Sequence, residues 1–144
     1  MKNIIVILTI FVTSLMSAQE WKSNFEEAKE LAAKESKNIV LVFSGSDWCA
    51  PCIKLDRAIW QSEEFTKAYS ENWILVKADF PKKKANALSE EQTKANKELA
   101  EIYNPEGNFP KVVVLNHEGK VLGIMGYEKI SPDEYITKLK SFTK

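Results

Sequence analysis

The chain has 144 residues, 20 Lys and Arg against 20 Asp and Glu, one His, two Cys and 44% hydrophobic residues. This length supports one domain with its own core, and the composition excludes a disordered, collagen-like or coiled-coil chain. A formal net charge of zero, with no basic arm, removes the electrostatic case for a nucleic-acid partner, whose phosphates require clustered Lys and Arg.

Met1-Lys2-Asn3 carries one positive charge, and Ile4 to Met16 is apolar except for Thr9, Thr13 and Ser14. A run of about 13 residues falls short of the ~20 that span a membrane but suits a secretory leader. It ends at the small residues Ser17-Ala18. Residues 1–18 therefore read as a signal peptide and residues 19–144 as the exported domain. Removing Lys2 from the 20 cations leaves 19 against 20 acids. An uncleaved anchor would need a longer run, and a buried first strand would be followed by turn residues.

Ser23-Asn24-Phe25-Glu26 reads as a capping box that opens a helix from Asn24 to about Ser36, with Phe25, Ala28, Leu31 and Ala32 on one buried face. Asn38 to Phe43 is a continuous apolar run of strand length, the pattern of a strand covered on both faces. After the loop Ser44 to Asp47, Trp48-Cys49-Ala50-Pro51-Cys52 opens a second helix running through Asp56 to Trp60. Ser62 caps a further helical stretch to Tyr69, with Phe65 and Tyr69 one turn apart, and Trp73 to Asp79 is the second strand.

Pro81 to Leu88, PKKKANAL, reads as a solvated loop, and Asp47 as a solvated loop acid. Ser89-Glu90-Glu91-Gln92 reads as a second capping box. Its helix extends to Tyr103 with Ala95, Leu99, Ala100, Ile102 and Tyr103 toward the core. Asn104 to Asn108 is turn chemistry. Lys111 to Asn116 and Val121 to Met125 form a hairpin about a turn that contains His117, a turn residue and nothing more. Ser131-Pro132-Asp133-Glu134 caps the last helix, which buries Tyr135, Ile136, Leu139 and Phe142. The order α, β, α, α, β, α, β, β, α gives an α/β sandwich with a mixed sheet: parallel where helices connect strands, antiparallel at the hairpin.

Cys49 and Cys52 are the whole thiol inventory. A disulfide scaffold shows several spaced cysteines and a zinc site needs four ligands, so a lone CxxC with a distant His117 fits neither. A redox pair remains. Cys49, at a helix start, meets unsatisfied N–H groups and the positive end of the helix dipole, which favour the thiolate. It is the expected nucleophile, and Cys52, one turn deeper and less exposed, the resolving thiol. Pro51 fits the first turn, where its missing N–H costs little.

Trp48-Cys49-Ala50-Pro51-Cys52 between a buried strand and a helix, with Phe109-Pro110 before a hairpin about 60 residues later, resembles the thioredoxin superfamily over Trp21 to Phe142. Among its members, small exported thioredoxin-like proteins are most similar in the Gly-Ser-Asp-Trp-Cys lead-in. The resemblance implies a thioredoxin-like three-layer sandwich, a cis-proline at Pro110, and a substrate surface of Trp48, Ala50, Pro51, Phe109 and Pro110. It also places Gly126 where the family commonly has Gly. One position departs from the family: the buried acid six residues before the first Cys is Phe43 here. Lys77 matches the lysine that often accompanies that acid, which leaves water, Asp79 or Asp56 to take the proton of Cys52.

The expected function is that of an exported thiol-disulfide oxidoreductase, periplasmic or otherwise exported and soluble after signal cleavage. Absence of a His between the cysteines favours the reductase or isomerase direction. No cofactor or metal is expected. The expected partners are exported cysteine-containing proteins and a membrane electron donor, and the protein is expected to be a monomer. Near-neutral charge points to substrate choice by the apolar rim of Trp48 and Phe109. Two alternatives stay open: a metal- or haem-delivery module using the thiols, and a purely structural disulfide.

Overall fold

The computed structural model describes residues 19–143; the expected signal peptide, residues 1–18, lies outside them. A short strand, β1 (Trp21–Lys22), precedes α1 (Phe25–Glu35) and β2 (Asn38–Ser44). Next come α2 (Ala50–Leu55), a π-helical turn (Asp56–Trp60), α3 (Glu63–Asn72) and β3 (Trp73–Asp79). A 3₁₀ turn (Lys84–Asn86), α4 (Glu90–Tyr103), the strands β4 (Lys111–Leu115) and β5 (Val121–Met125), and α5 (Pro132–Ser141) complete the chain. Among the described residues no helix is long and apolar enough to cross a membrane.

The five strands form one sheet in the order β1-β3-β2-β4-β5. β1 and β2 pair parallel with β3, whereas β2–β4 and β4–β5 are antiparallel. The mixed sheet follows the sequence reading with two corrections: β4, although α4 connects it to β3, runs antiparallel to β2 and not parallel as the helix link predicts, and β1 adds an edge the reading lacked. Two residues are too few for a period-two pattern, and only pairing of Trp21 with Leu75 and Lys22 with Val76 makes them a strand.

Alternation along β2 builds the three layers. Val40 and Val42 pack with Leu55, Ile59, Trp60, Phe65, Tyr135 and Leu139 under α2, α3 and α5. Ile39, Leu41 and Phe43 pack with Ala28, Ala32 and Leu99 under α1 and α4. Both faces of β2 are covered, as its unbroken apolar run requires. Trp60 centres the first cluster, with edge contacts to Trp21, Phe65 and Tyr135 at ring separations of 5.7, 4.7 and 5.6 Å.

The caps correct the sequence reading in two places. α1 is capped by Asn24, not Ser23: Asn24 has extended backbone and its Oδ1 accepts the Glu27 N–H at 3.1 Å. At α4, Ser89 accepts the Gln92 N–H, but the Gln92 amide does not return to Ser89. It donates instead to Ser23 O and Asn96 Oδ1, at 3.1 and 2.8 Å, tying α4 to the start of α1. At α5 the box is complete, and Glu134 accepts from both the Ser131 N–H and hydroxyl. The α4 face is also rotated from expectation: Ile102 is 67% exposed, while Asn96 and Leu99 are buried. Asn96 is drawn inward because its amide donates to the Asp79 carbonyl at 2.9 Å, a demand that apolar spacing does not reveal.

Candidate redox site

β2 and β3 run parallel and end together at Ser44 and Asp79. β3 lies on one side of β2 and β4 on the other, the kind of crevice at strand C-termini where open α/β sheets place their sites. The loop beyond Ser44 turns into α2 with Cys49 as N-cap. Cys49 N–H donates to Gly45 O at 2.9 Å, and Cys52 N–H to Cys49 Sγ at 3.3 Å. Cys49 and Cys52 are joined as a disulfide, with Cα atoms 5.2 Å apart. Gly45 N–H points at Cys52 Sγ, 3.5 Å away. Each sulfur thus faces one backbone donor, the arrangement that stabilises negative charge on sulfur. The two are nearly equally buried in this state, Cys49 at 5% and Cys52 at 3% exposure, so the expected contrast in exposure is slight.

Trp48 is 39% exposed beside the pair. Its indole N–H donates to Phe80 O at 2.7 Å, and its ring meets Phe109 edge-on at 5.5 Å. Phe109 in turn meets Phe80 at 5.5 Å. Gly45 is required by this packing: a Cβ there would lie 2.4 to 2.7 Å from three indole atoms. The Phe109-Pro110 peptide is cis, and Lys111 pairs with Phe43 across β2 and β4. Phe109 and Pro110 therefore stand at the sheet end where β2 gives way to the cysteine loop. Ala50 and Pro51 are exposed on the first turn of α2. Gly126 lies against this segment, its Cβ position 3.6 Å from Pro110 O.

Two readings of this region change. Asp47 is not a merely solvated acid: it accepts from the Lys82 and Lys83 N–H groups at 2.9 and 3.0 Å and from the Asn86 amide at 3.0 Å. Those donors, with the Lys83 charge, hold its carboxyl below the usual carboxylate range, the Lys82 N–H contributing most. The rim is also not purely apolar, because Lys82 Nζ sits 3.9 Å above the Trp48 ring centroid. No local signal links Asp47 to residues 35 to 39 positions away.

Beneath Cys52 lies a cavity of about 300 Å³ lined by Cys52, Ser44, Asp56, Gln61 and Lys77 among others. Lys77 Nζ is 3.6 Å from Asp56 Oδ1, and the Gln61 amide donates to Asp56 Oδ2. The π-helical turn that begins at Asp56 interrupts the regular helix beside this cavity, a feature common at functional sites. Phe43 packs with the α1–α4 cluster on the other face of the sheet. Asp79, the other acid considered, is engaged by the Ser46 N–H and hydroxyl at 2.9 and 2.5 Å. Asp56 is the acid that shares a cavity with Cys52. A larger cleft of about 560 Å³ between α1 and α4, lined by Phe25, Ser89 and Tyr103 among others, contains neither cysteine.

A family profile described as thioredoxin-like matches residues 20–117. The chain is 41% identical over 125 residues to the disulfide bond reductase DsbH of Chlamydia pneumoniae, covering 87% of this chain and 73% of that protein. A solved structure of a DsbH oxidoreductase superposes with a TM-score of 0.80 at 38% identity, covering 88% of this chain and 85% of the other. A disulphide isomerase from Xylella fastidiosa Temecula1, 23% identical, shares the fold with a TM-score of 0.61 over 83% of this chain and 88% of its own. With its strand, CxxC helix start and mixed sheet in place, the chain belongs to the thioredoxin-like family, as a thiol-disulfide oxidoreductase whose redox pair is Cys49 and Cys52.

Proposed function

We propose that the protein reduces disulfides of exported cysteine-containing proteins, with Cys49 attacking and Cys52 resolving, and that a membrane electron donor returns it to the dithiol. The observation that carries this reading is Cys49 as N-cap of α2, its sulfur accepting the Cys52 N–H beside the exposed ring of Trp48. The reductase direction is supported by Ala50-Pro51 between the cysteines, which supply no cationic partner for a strongly stabilised thiolate. The name of the C. pneumoniae relative, a disulfide bond reductase, points the same way. Export rests on the composition of residues 1–18.

In the first step the Cys49 thiolate bonds to one sulfur of the substrate disulfide, and the other sulfur leaves with the electron pair and takes a proton. Cys52 then gives up its proton and attacks Cys49 Sγ, and the second substrate sulfur leaves and is protonated. The substrate gains two electrons and two protons, and the protein is left with the Cys49–Cys52 disulfide. Asp56, across the cavity from Cys52 and oriented by Lys77 and Gln61, receives the Cys52 proton. Trp48, Ala50, Pro51, Phe109 and Pro110 form the surface that receives the substrate segment.

The test is trapping on insulin. The Cys52→Ser protein should accumulate a mixed disulfide through Cys49, and the Cys49→Ser protein should neither trap nor reduce insulin. Reduction by Cys49→Ser at the wild-type rate overturns the assignment.

A further inference from the structure

The connector from Pro81 to Ala87 borders the aromatic surface beside Cys49. Lys82 Nζ lies 3.9 Å above the Trp48 ring, and Trp48 is in edge contact with Phe109. The connector's path is fixed by Asp47, next to Trp48 in the chain, through the Lys82 and Lys83 N–H groups and the Asn86 amide. The Asp47 carboxylate is occupied by those donors. Lys82, Lys83 and Lys84 are exposed, and among the described residues none of the three enters an ion pair. Elsewhere on the surface, Lys29, Lys67 and Lys138 face carboxylates within 4 Å, and exposed cations without an ion pair among the described residues, such as Lys34 and Lys97, are not consecutive in the chain. A chain with zero net charge therefore carries three consecutive ammonium groups, none within 4 Å of a carboxylate among the described residues and offset nearby by the Asp47 charge that Lys83 feels, on a pinned segment at the edge of its redox site.

We propose that this edge selects acidic substrate segments: disulfides whose cysteine is followed or preceded by an apolar residue and by Asp or Glu. The apolar side chain lies on Trp48 and Phe109, and the carboxylates face Lys82, Lys83 and Lys84. The proposal rests on the oxidoreductase reading, with Cys49 as the attacking sulfur. Charge of this kind acts mainly on the encounter rate and weakens as salt screens it.

The experiment uses the reduced protein and two peptides, each with a single cysteine held as a disulfide with 2-mercaptoethanol and flanked by Leu. One peptide carries two Glu beside that pair and the other two Lys. The rate at which free peptide appears is divided by the rate with dithiothreitol, whose attacking thiolate carries the same single negative charge as that of Cys49, to remove differences in intrinsic reactivity. At low ionic strength the normalised rate should favour the Glu peptide by about tenfold, and the preference should shrink toward unity in 1 M salt. A combined Lys82→Glu, Lys83→Glu and Lys84→Glu variant should reverse it. Equal normalised rates in low salt, or a wild-type preference that persists in the variant, overturn the charge assignment while leaving the oxidoreductase reading intact. If neither peptide is released and no adduct forms on Cys49, the oxidoreductase reading fails and the proposal falls with it.

Discussion

Replacing Gly45 with Ala puts a methyl group where the Trp48 indole now lies, with three ring atoms 2.4 to 2.7 Å from the new Cβ. The φ of Gly45 lies outside the left-handed region, so the cost comes from this collision and not from the backbone. The indole must leave its seat, losing its N–H bond to Phe80 O and its edge contact with Phe109. A net hydrogen bond contributes about 0.5 to 1.5 kcal/mol, and an aromatic pair contributes about the same. Gly45→Ala should therefore destabilise by about 1 to 3 kcal/mol, a fall in midpoint of roughly 4 to 12 °C for a domain of this size. Thermal and urea unfolding of the wild type, Gly45→Ala, Trp48→Ala and the double variant close a cycle. Once the indole is gone, the added methyl should cost less than about 0.5 kcal/mol. A Gly45→Ala penalty of the same size with and without Trp48 would refute the reasoning, as would a neutral Gly45→Ala in the wild-type background.

Asn96→Leu should destabilise by about 1 to 3 kcal/mol in urea titration, because the Asp79 carbonyl loses its buried donor; a neutral variant would contradict that role. Asp56→Asn should slow the release step, in which Cys52 attacks, by about tenfold or more while leaving mixed-disulfide formation by Cys49 unchanged. Rapid-quench kinetics separates the two steps, and equal slowing of both, or of neither, would exclude Asp56 as the proton acceptor. Because the folded-state value of Asp47 is depressed, its contribution is complete above the ordinary carboxylate value of about 3.9 and is lost as pH falls through the lowered value. The Lys82 and Lys83 amide resonances should move with the Asp47 carboxyl in that acid range, and a common midpoint at or above about pH 4 would contradict the lowered value.

What the sequence made legible is what depends on short-range pattern. β2 reads as doubly covered because Asn38 to Phe43 is apolar throughout, and both of its faces are buried. Cys49 at a helix start follows from a strand, a loop and a proline in the first turn, and the structure makes Cys49 the N-cap. The features that were missed depend on partners far along the chain. Trp21–Lys22 becomes a strand only by pairing with Leu75 and Val76. Asn96 occupies a core position that its polarity hides, because its partner is a backbone carbonyl on β3. Asp47 and the lysine connector lie more than thirty residues apart and meet because β2 and β3 end side by side. Phe43 marked the loss of an acid without showing its replacement: Asp56 follows Cys52 by one helical turn, but only the cavity shared with Lys77 singles it out.

The central claim is that Cys49 and Cys52 cycle between dithiol and disulfide as a reductant. Equilibrating the protein with dithiothreitol buffers of known potential and counting free thiols measures the pair directly. The account predicts a midpoint between roughly −300 and −200 mV, in the range of catalytic reductants. A value well below about −300 mV would mark a structural bond, and one near −120 mV an oxidant. Either would contradict the reductase assignment.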